Sequence, residues 1–338
     1  PYVPGEQPRE KVIKLNTNEN PYPPAPGVQA ALDTLDTADF RLYPDPASSA
    51  LVRSLADYYG VDEDQVFVGV GSDDVLSLCF LTFFNSEKPI LFPDITYSFY
   101  KVWAELYRIP YECPALDGDF RIVKEDYYRE NGGIIFPNPN APTAIYEELD
   151  FIEDILEHNR DSIVIVDEAY VDFAGRSAME LIGKYDNLIV TQTFSKARSL
   201  AGMRIGYAIS NPDLIRCLND VKYSFNSYTM SRAAIVCGSA AVEDRAYFEK
   251  SVRRIKETRE RTKEELAKLG FEFTDSKANF LFARHPRYDG GRRFRELRDA
   301  NIYVRHWDDE KIGQYLRITV GTDEEMDTLL DFLRKQLS

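Results

Sequence analysis

The chain has 338 residues, 44% of them hydrophobic and 29% charged, an ordinary balance for a globular protein with one large core or a large and a small one. Its formal net charge of −15 argues against a general nucleic-acid binder, and it requires local Arg and Lys to draw in any anionic substrate against the average field. No signal peptide and no apolar run of bilayer-spanning length is apparent, so a membrane-spanning protein is not expected.

Residues 1–26 are rich in Pro and Asn (PYVPGEQP, then KLNTNENPYPPAP), which predicts an extended N-terminal arm without regular structure. Because the chain opens at Pro1 rather than Met, a trimmed natural N-terminus is expected. So many specific residues favour an arm docked near the active site over a floppy terminus. From residue 27 to 241, short apolar runs alternate with helical patterns: VFVGV (66–70), PILF (89–92), GIIF (133–136), SIVIV (162–166), NLIVTQTF (187–194) and RIGYAIS (204–210). Runs of this length between helices predict buried parallel strands, hence an α/β large domain with a mostly parallel central sheet between helices. Near Val242 the texture changes. Phe248, Val252, Ile255, Thr262, Leu266 and Leu269 form a stripe on a long charged helix that Gly270 can end. FEFT, ANFLFAR, a helix over 292–300, IYVRHW, YLRITV and a last helix from Asp323 then predict a smaller α+β domain over 242–338.

Four cysteines (Cys79, Cys113, Cys217, Cys237) form no CxxC pair, and three histidines are too few to favour a metal site or a Ser-His-Asp triad. Such cysteines fit a reducing cytoplasm. No metal is expected.

Ligands in open α/β sheets bind beyond the carboxyl ends of strands, and four polar motifs follow predicted strands here. Gly71-Ser72-Asp73-Asp74 would open a helix whose free N–H groups can hold a phosphate; alternatively Ser72 or Asp73 simply caps that helix. Gly69 and Gly71 do not complete a dinucleotide fingerprint. In Asp167-Glu168-Ala169-Tyr170, the first carboxylate could keep a ring nitrogen protonated and the tyrosine could bond a phenolic oxygen. A Walker-B-like metal carboxylate is the competing reading, but no Walker A partner exists in the chain. Thr193-Phe194-Ser195-Lys196 puts a lysine beside hydroxyls, where a partly deprotonated amine can form a Schiff base. Arg204, eight residues on, can add a fixed charge to a phosphate.

These residues, with KLNTNENPYPP, RLYPDP, GSDDVL, ITYSFY, PNPNAPT, TFSKARSLAGMRIGY and YLRITVGT, resemble the histidinol-phosphate aminotransferases of fold-type I, a pyridoxal-phosphate family, over nearly the whole chain. The resemblance implies that Lys196 forms the internal aldimine and shuttles a proton between Cα and C4′. It implies that Asp167 pairs with the pyridinium nitrogen, Tyr170 contacts O3′ and Tyr97 stacks on the ring. Ser72, Asp73, Ser195 and Arg204 would hold the cofactor phosphate, with a further hydroxyl from Thr193. Tyr43 would reach the phosphate of the neighbouring subunit's cofactor, making a homodimer with shared sites. Arg305 and Arg317 would bind the substrate anion; Tyr2 and Asn18 would close over the substrate. The family's NPTG reads Ala141-Pro142-Thr143-Ala144 here, so the usual Asn donor to O3′ is missing and Asn140 or Asn138 would have to replace it.

The implied activity converts L-histidinol phosphate and 2-oxoglutarate to imidazole-acetol phosphate and glutamate, in the cytoplasm, for histidine biosynthesis. The alternatives are an aromatic or broad-range aminotransferase, a phospho-amino-acid decarboxylase, and a non-catalytic cofactor-binding regulator. Retention of both Lys196 and Asp167 argues against the last, and no basic helix-turn-helix precedes the domain.

Overall fold

The computed structural model describes residues 1–337. In chain order the first half contains β1 (Ile13–Lys14), α1 (Pro26–Asp33), α2 (Ser49–Tyr59), β2 (Val66–Gly69), α3 (Ser72–Phe83), β3 (Ile90–Leu91), α4 (Phe99–Tyr107), β4 (Tyr111–Glu112), β5 (Ile134–Pro137), α5 (Leu149–His158) and β6 (Val164–Asp167). The second half continues with β7 (Leu188–Thr193), β8 (Gly206–Ile209), α6 (Pro212–Phe225), α7 (Arg232–Glu243), α8 (Arg245–Lys268), β9 (Glu272–Phe273), β10 (Phe280–Arg284), α9 (Gly290–Asp299), β11 (Ile302–Tyr303), β12 (Leu316–Thr319) and α10 (Asp323–Leu337).

Seven strands form the main sheet in the order β2-β8-β7-β6-β5-β3-β4. β5, β6 and β7 are buried along their whole length, so they read as unbroken apolar runs. Their side chains alternate between faces. Ile135, Ile165 and Ile189 pack on one side against α3, α4 and α6. Phe136, Val164, Val166 and Val190 pack on the other against α5, beside a cluster from α2 and α7 that covers Val68 and Ile209.

The sheet is mostly parallel, as expected, but β8 (RIGYAIS), read as one of the parallel strands, is the exception. It runs antiparallel to both β2 and β7, while β3 to β7 are mutually parallel. Both neighbours of β8 therefore point the same way, and only its amino end lies at the edge where they present their carboxyl ends. That reversal brings Arg204, which precedes β8, to the same edge as the motifs that follow β2, β5, β6 and β7.

In the second unit, β12-β10-β9 form an antiparallel sheet around Leu266, Phe271, Leu281, Leu297, Ile318 and Leu330. Asp244 caps α8 by accepting the Tyr247 N–H, and Gly270 follows its end at φ +83°, a left-handed turn that glycine adopts without a Cβ penalty. The expected boundary at Val242 thus falls in the last turn of α7. The arm is not wholly irregular either. β1 pairs in parallel with β11, and Leu15 is buried in the core of the second unit. A mixed cluster of Ala141, Tyr170, Phe173 and Ala197 with Val252, Ile255, Ala278 and Phe280 joins the two units. All four cysteines are free; Cys79 and Cys237 are buried, Cys113 and Cys217 exposed.

Candidate active site

α3 begins at the carboxyl end of β2. Its cap residue is Gly71, at φ +86°, and no side chain caps the helix, so neither Ser72 nor Asp73 plays the simple capping role. The neighbouring Asp74 instead accepts the Val70 N–H at 2.9 Å. The first-turn N–H groups, which have no intrahelical acceptor, are left for a ligand. A Cβ on Gly206 would lie 2.3 Å from Gly71 C and Ser72 N, so this glycine lets the start of α3 sit directly on β8. Arg204 lies over the same turn: a Cβ on Gly71 would meet its guanidinium at 2.5 Å, and its Nη2 is 3.3 Å from Asp73 Oδ2.

A chain of contacts runs inward from there. Tyr97 donates to Asp73 Oδ1 at 2.8 Å, and its ring meets that of Tyr100 edge-on at 5.7 Å. Tyr100, one turn after Tyr97, donates to Asp167 Oδ2 at 2.7 Å. The other oxygen, Oδ1, is buried and has no well-aligned hydrogen bond, although the Ala169 N–H and the Thr191 hydroxyl lie close enough to favour the carboxylate. Burial raises the Asp167 carboxyl to about 6, against the lowering effect of the Tyr100 bond. Glu168 is equally buried but fully engaged by Ser177, the Ala178 N–H and Gln192, which marks it as structural.

Lys196 follows β7. Its Nζ donates to the Thr17 carbonyl at 2.9 Å and lies 5.8 Å from the Tyr170 ring centre. Burial, then the charge of Arg317, lowers this amine to about 8. The Thr193 and Ser195 hydroxyls are 3.0 Å apart. Tyr170 is buried and its hydroxyl accepts from Asn18 Nδ2 at 3.0 Å.

Arg305 and Arg317 are backbone partners, joined by N–H···O bonds of 3.0 and 2.9 Å. Their guanidinium carbons lie 5.6 and 5.4 Å from the Trp307 ring centre. Arg305 donates to the Val3 carbonyl at 3.0 Å and reaches Pro4 O at 3.5 Å. Arg317 donates to Asn16 O at 2.7 Å while its Nε is buried without a partner. Tyr2 stacks on Phe99 at 4.2 Å and its ring centre is 6.3 Å from that of Tyr97. The arm thus lies against the residues expected to bind the substrate anion.

Three expected residues stand apart. Asn140 donates both amide hydrogens, to Ile95 O and Thr143 Oγ1, and accepts from Thr96. It fixes the turn after β5 and has no hydrogen left for a cofactor oxygen, so the expected replacement for the missing amide is not Asn140. Asn138 is bonded twice to the backbone of Glu147. Ala144 takes φ +63°, so the turn keeps a left-handed residue although no glycine stands there. Tyr43 is 79% exposed, stacked on Tyr228 rather than turned into this cluster.

Tyr100, Thr17 and Trp307 were not legible as site residues. Tyr100 had one signal, its spacing of three from Tyr97; the others act through a backbone carbonyl or a flat ring and leave none. A cavity of about 750 Å³ lies elsewhere, lined by Arg121, Glu147, Asp275, Lys277 and Tyr315 among others; none of the expected site residues lines it. Among the described residues no group of side chains could hold a metal ion, and no helix is long and apolar enough to cross a membrane.

Comparison with known proteins identifies the family. Residues 10–333 match the family model of class I and II aminotransferases. The histidinol-phosphate aminotransferase of Chromohalobacter salexigens is 53% identical over 333 residues, 98% of this chain and 95% of that protein. The protein of the same name from Lactococcus lactis subsp. cremoris is 52% identical over 338 residues, 100% of this chain and 95% of its own length. A similar fold is seen in the histidinol-phosphate aminotransferase of Sinorhizobium meliloti in complex with pyridoxal-5′-phosphate, with a TM-score of 0.86, 24% identity and coverage of 96% and 92% of the two chains. By sequence and by fold, this chain belongs to the class I and II aminotransferase family.

Proposed function

We propose that this chain moves an amino group between L-histidinol phosphate and 2-oxoglutarate, as a step of histidine biosynthesis, with pyridoxal phosphate held on Lys196. When bound, the cofactor supplies a conjugated ring that accepts the electron pair left as a proton departs from the amino-bearing carbon. The residues fit such a group. One observation carries the reading: the buried Asp167 carboxyl, one oxygen of which has no well-aligned hydrogen bond, so that a charged form there costs free energy unless a cationic donor such as a protonated ring nitrogen meets it.

The chain's own residues divide the work. Lys196, lowered to about 8, keeps part of its amine neutral near pH 7–8, so it can act as nucleophile and then as base at the substrate's α-carbon. Ser72 and Asp73 N–H groups, Ser195, Thr193 and Arg204 form a cationic cup for the cofactor phosphate. Tyr97 supplies a ring face, and Tyr170 a hydroxyl for the phenolic oxygen. Histidinol phosphate has no carboxylate, so Arg305 and Arg317 would bind its phosphate, and the same pair would bind the carboxylates of glutamate. Both donor and acceptor then use one pocket in turn.

A homodimer with shared sites is part of this proposal. Tyr43 (79% exposed) and Tyr228 (45%) stack on one another at 4.6 Å, an exposed aromatic pair that a second copy would cover. Tyr43 would then serve the neighbouring site. A cytoplasmic setting fits the four free cysteines.

The test is turnover with histidinol phosphate against L-histidinol, phenylalanine, tyrosine and threonine phosphate, for the parent and Arg305→Ala. Histidinol phosphate should have the highest kcat/KM. The variant should lose roughly 1.5–3 kcal/mol of transition-state stabilisation with it, and far less with L-histidinol, which has neither phosphate nor carboxylate. Equal losses for both substrates would make Arg305 a support for the arm; carbon dioxide release from threonine phosphate would point to the decarboxylase instead.

A further inference from the structure

We propose that Asn18 is a positioning residue for Tyr170: its amide holds the phenol oxygen so that the phenol's only proton is left for the cofactor's phenolic oxygen, making good the amide missing at Ala141. The inference rests on the reading of this pocket as a pyridoxal-phosphate site.

Ala141 carries no donor, and it is buried in the same apolar cluster as Tyr170. Asn140 has spent both its amide hydrogens on Ile95 O and Thr143 Oγ1. Tyr170 remains. Its hydroxyl has one proton and two lone pairs. Asn18 Nδ2 takes a lone pair at 3.0 Å, and among the described residues no acceptor is found for the proton.

The direction of that bond is set from the far side. The Asn18 backbone N–H donates to Thr319 Oγ1 at 3.0 Å, and Thr319 Oγ1 donates to Asn18 Oδ1, also at 3.0 Å. Reversing the amide would strip the buried Thr319 proton of its acceptor and set Tyr170 to donate to Asn18, so the present orientation is favoured. Asn279 Nδ2 bonds the Asn18 carbonyl at 3.0 Å, and Asn18 sits at φ +57°, a left-handed conformation that asparagine tolerates better than most residues. A donor on its oxygen also makes the phenol a better donor in turn. The preceding residue, Thr17, accepts from Lys196 Nζ, so one stretch of the arm orients both groups. Asn18, expected from the resemblance to close over the substrate, acts instead on Tyr170.

The test uses the purified holoprotein and reads the pH midpoint of its visible absorbance band, with thermal unfolding as the second measurement. A donor to the phenolic oxygen favours the deprotonated form of the lysine–cofactor linkage, so losing it raises the midpoint. Asn18→Ala and Tyr170→Phe should each raise it by about half a unit to one unit, and the double variant should go no further than Tyr170→Phe. Asn18→Asp keeps the Thr319 bond and the side-chain shape but offers the phenol an acceptor; it should raise the midpoint at least as far as Asn18→Ala. Because the charge of Asn18→Asp alone also raises the midpoint, Asn18→Gly, which suits the φ of +57° there, decides the matter if the alanine variant does not fold. Lower unfolding temperatures with unmoved midpoints, or additive shifts in the double variant, overturn the inference. A parent protein that binds pyridoxal phosphate without any pH-dependent visible band, or whose band survives in Lys196→Ala, overturns the cofactor reading itself, and the inference with it.

Discussion

At Asp167 two effects oppose each other. Burial pushes its carboxyl up to about 6, while the Tyr100 hydroxyl favours the charged form. A cation brought to Oδ1 would tip the balance to the carboxylate. Asp167→Asn should therefore retain the cofactor, seen by its absorbance after gel filtration, yet lose roughly 10²–10³-fold in kcat. Turnover within about threefold of the parent, under ~0.7 kcal/mol of barrier, would rule out the ring-nitrogen role. Lys196 is the second case. Its amine is lowered from 10.5 to about 8 in the folded protein. Between those values the unfolded chain binds more protons, so the cofactor-free protein gains stability as pH rises from about 8 to 10.5. Lys196→Met should abolish that rise in urea unfolding midpoints. In parallel, the rate at which the cofactor-free protein develops its visible band should climb through pH 8, because the neutral amine is the nucleophile. A rate that is flat between pH 7 and 9 contradicts this.

Among the elements, β8 shows where pattern reading stops. RIGYAIS has the apolar run of a buried strand, and it is one, fully buried at Gly206–Ile209. Its direction is not in the pattern, because alternation and burial look the same both ways along a strand. The direction decides where Arg204 ends up. The close contact of Gly206 with the start of α3 gives a direct test. Gly206→Ala puts a methyl into the Gly71–Ser72 backbone, which cannot swing aside as a side-chain tip could. It should cost roughly 1–3 kcal/mol in denaturant unfolding and weaken cofactor binding in an equilibrium titration. A variant within about 0.5 kcal/mol of the parent, with unchanged affinity, would mean that the cup does not depend on this contact. The arm is the converse case. Its Pro and Asn content correctly discouraged a long element, yet Ile13–Lys14 still pairs with β11, since two extended residues beside an open strand need no periodicity to announce them.

For the whole molecule, the net charge is −15, while the proposed site draws on the cations Lys196, Arg204, Arg305 and Arg317. Such a local field concentrates anionic substrates, and salt should reduce the effect. The exposed surface around Tyr43 and Tyr228 sets the expectation of a dimer in sedimentation velocity. Sharing of sites is tested by mixing. Tyr43→Ala and Lys196→Ala chains, each impaired alone, should form mixed dimers in which one site has both lesions and the other has none. Activity regained on mixing supports a Tyr43 that reaches across; activity no greater than the average of the two parents counts against it.

Residue chemistry and strand–helix alternation are local, and they were legible in the chain. SIVIV-DEAY, NLIVTQTF-SK and VGVGSDD each state a buried strand and the polar group at its end, because apolar runs have to be buried and strand ends are where an α/β sheet exposes its ligands. Lys196 and Asp167 could be singled out on that basis. Three things needed the folded chain: the reversal of β8, which carries Arg204 to the cup; the use of both Asn140 hydrogens within its own turn; and the meeting of Asn18 with Tyr170 and Thr319. The reason is common to all three. Each depends on which atoms face one another across segments far apart in the chain, and a hydrogen bond, unlike burial, is set by direction and by a limited number of protons.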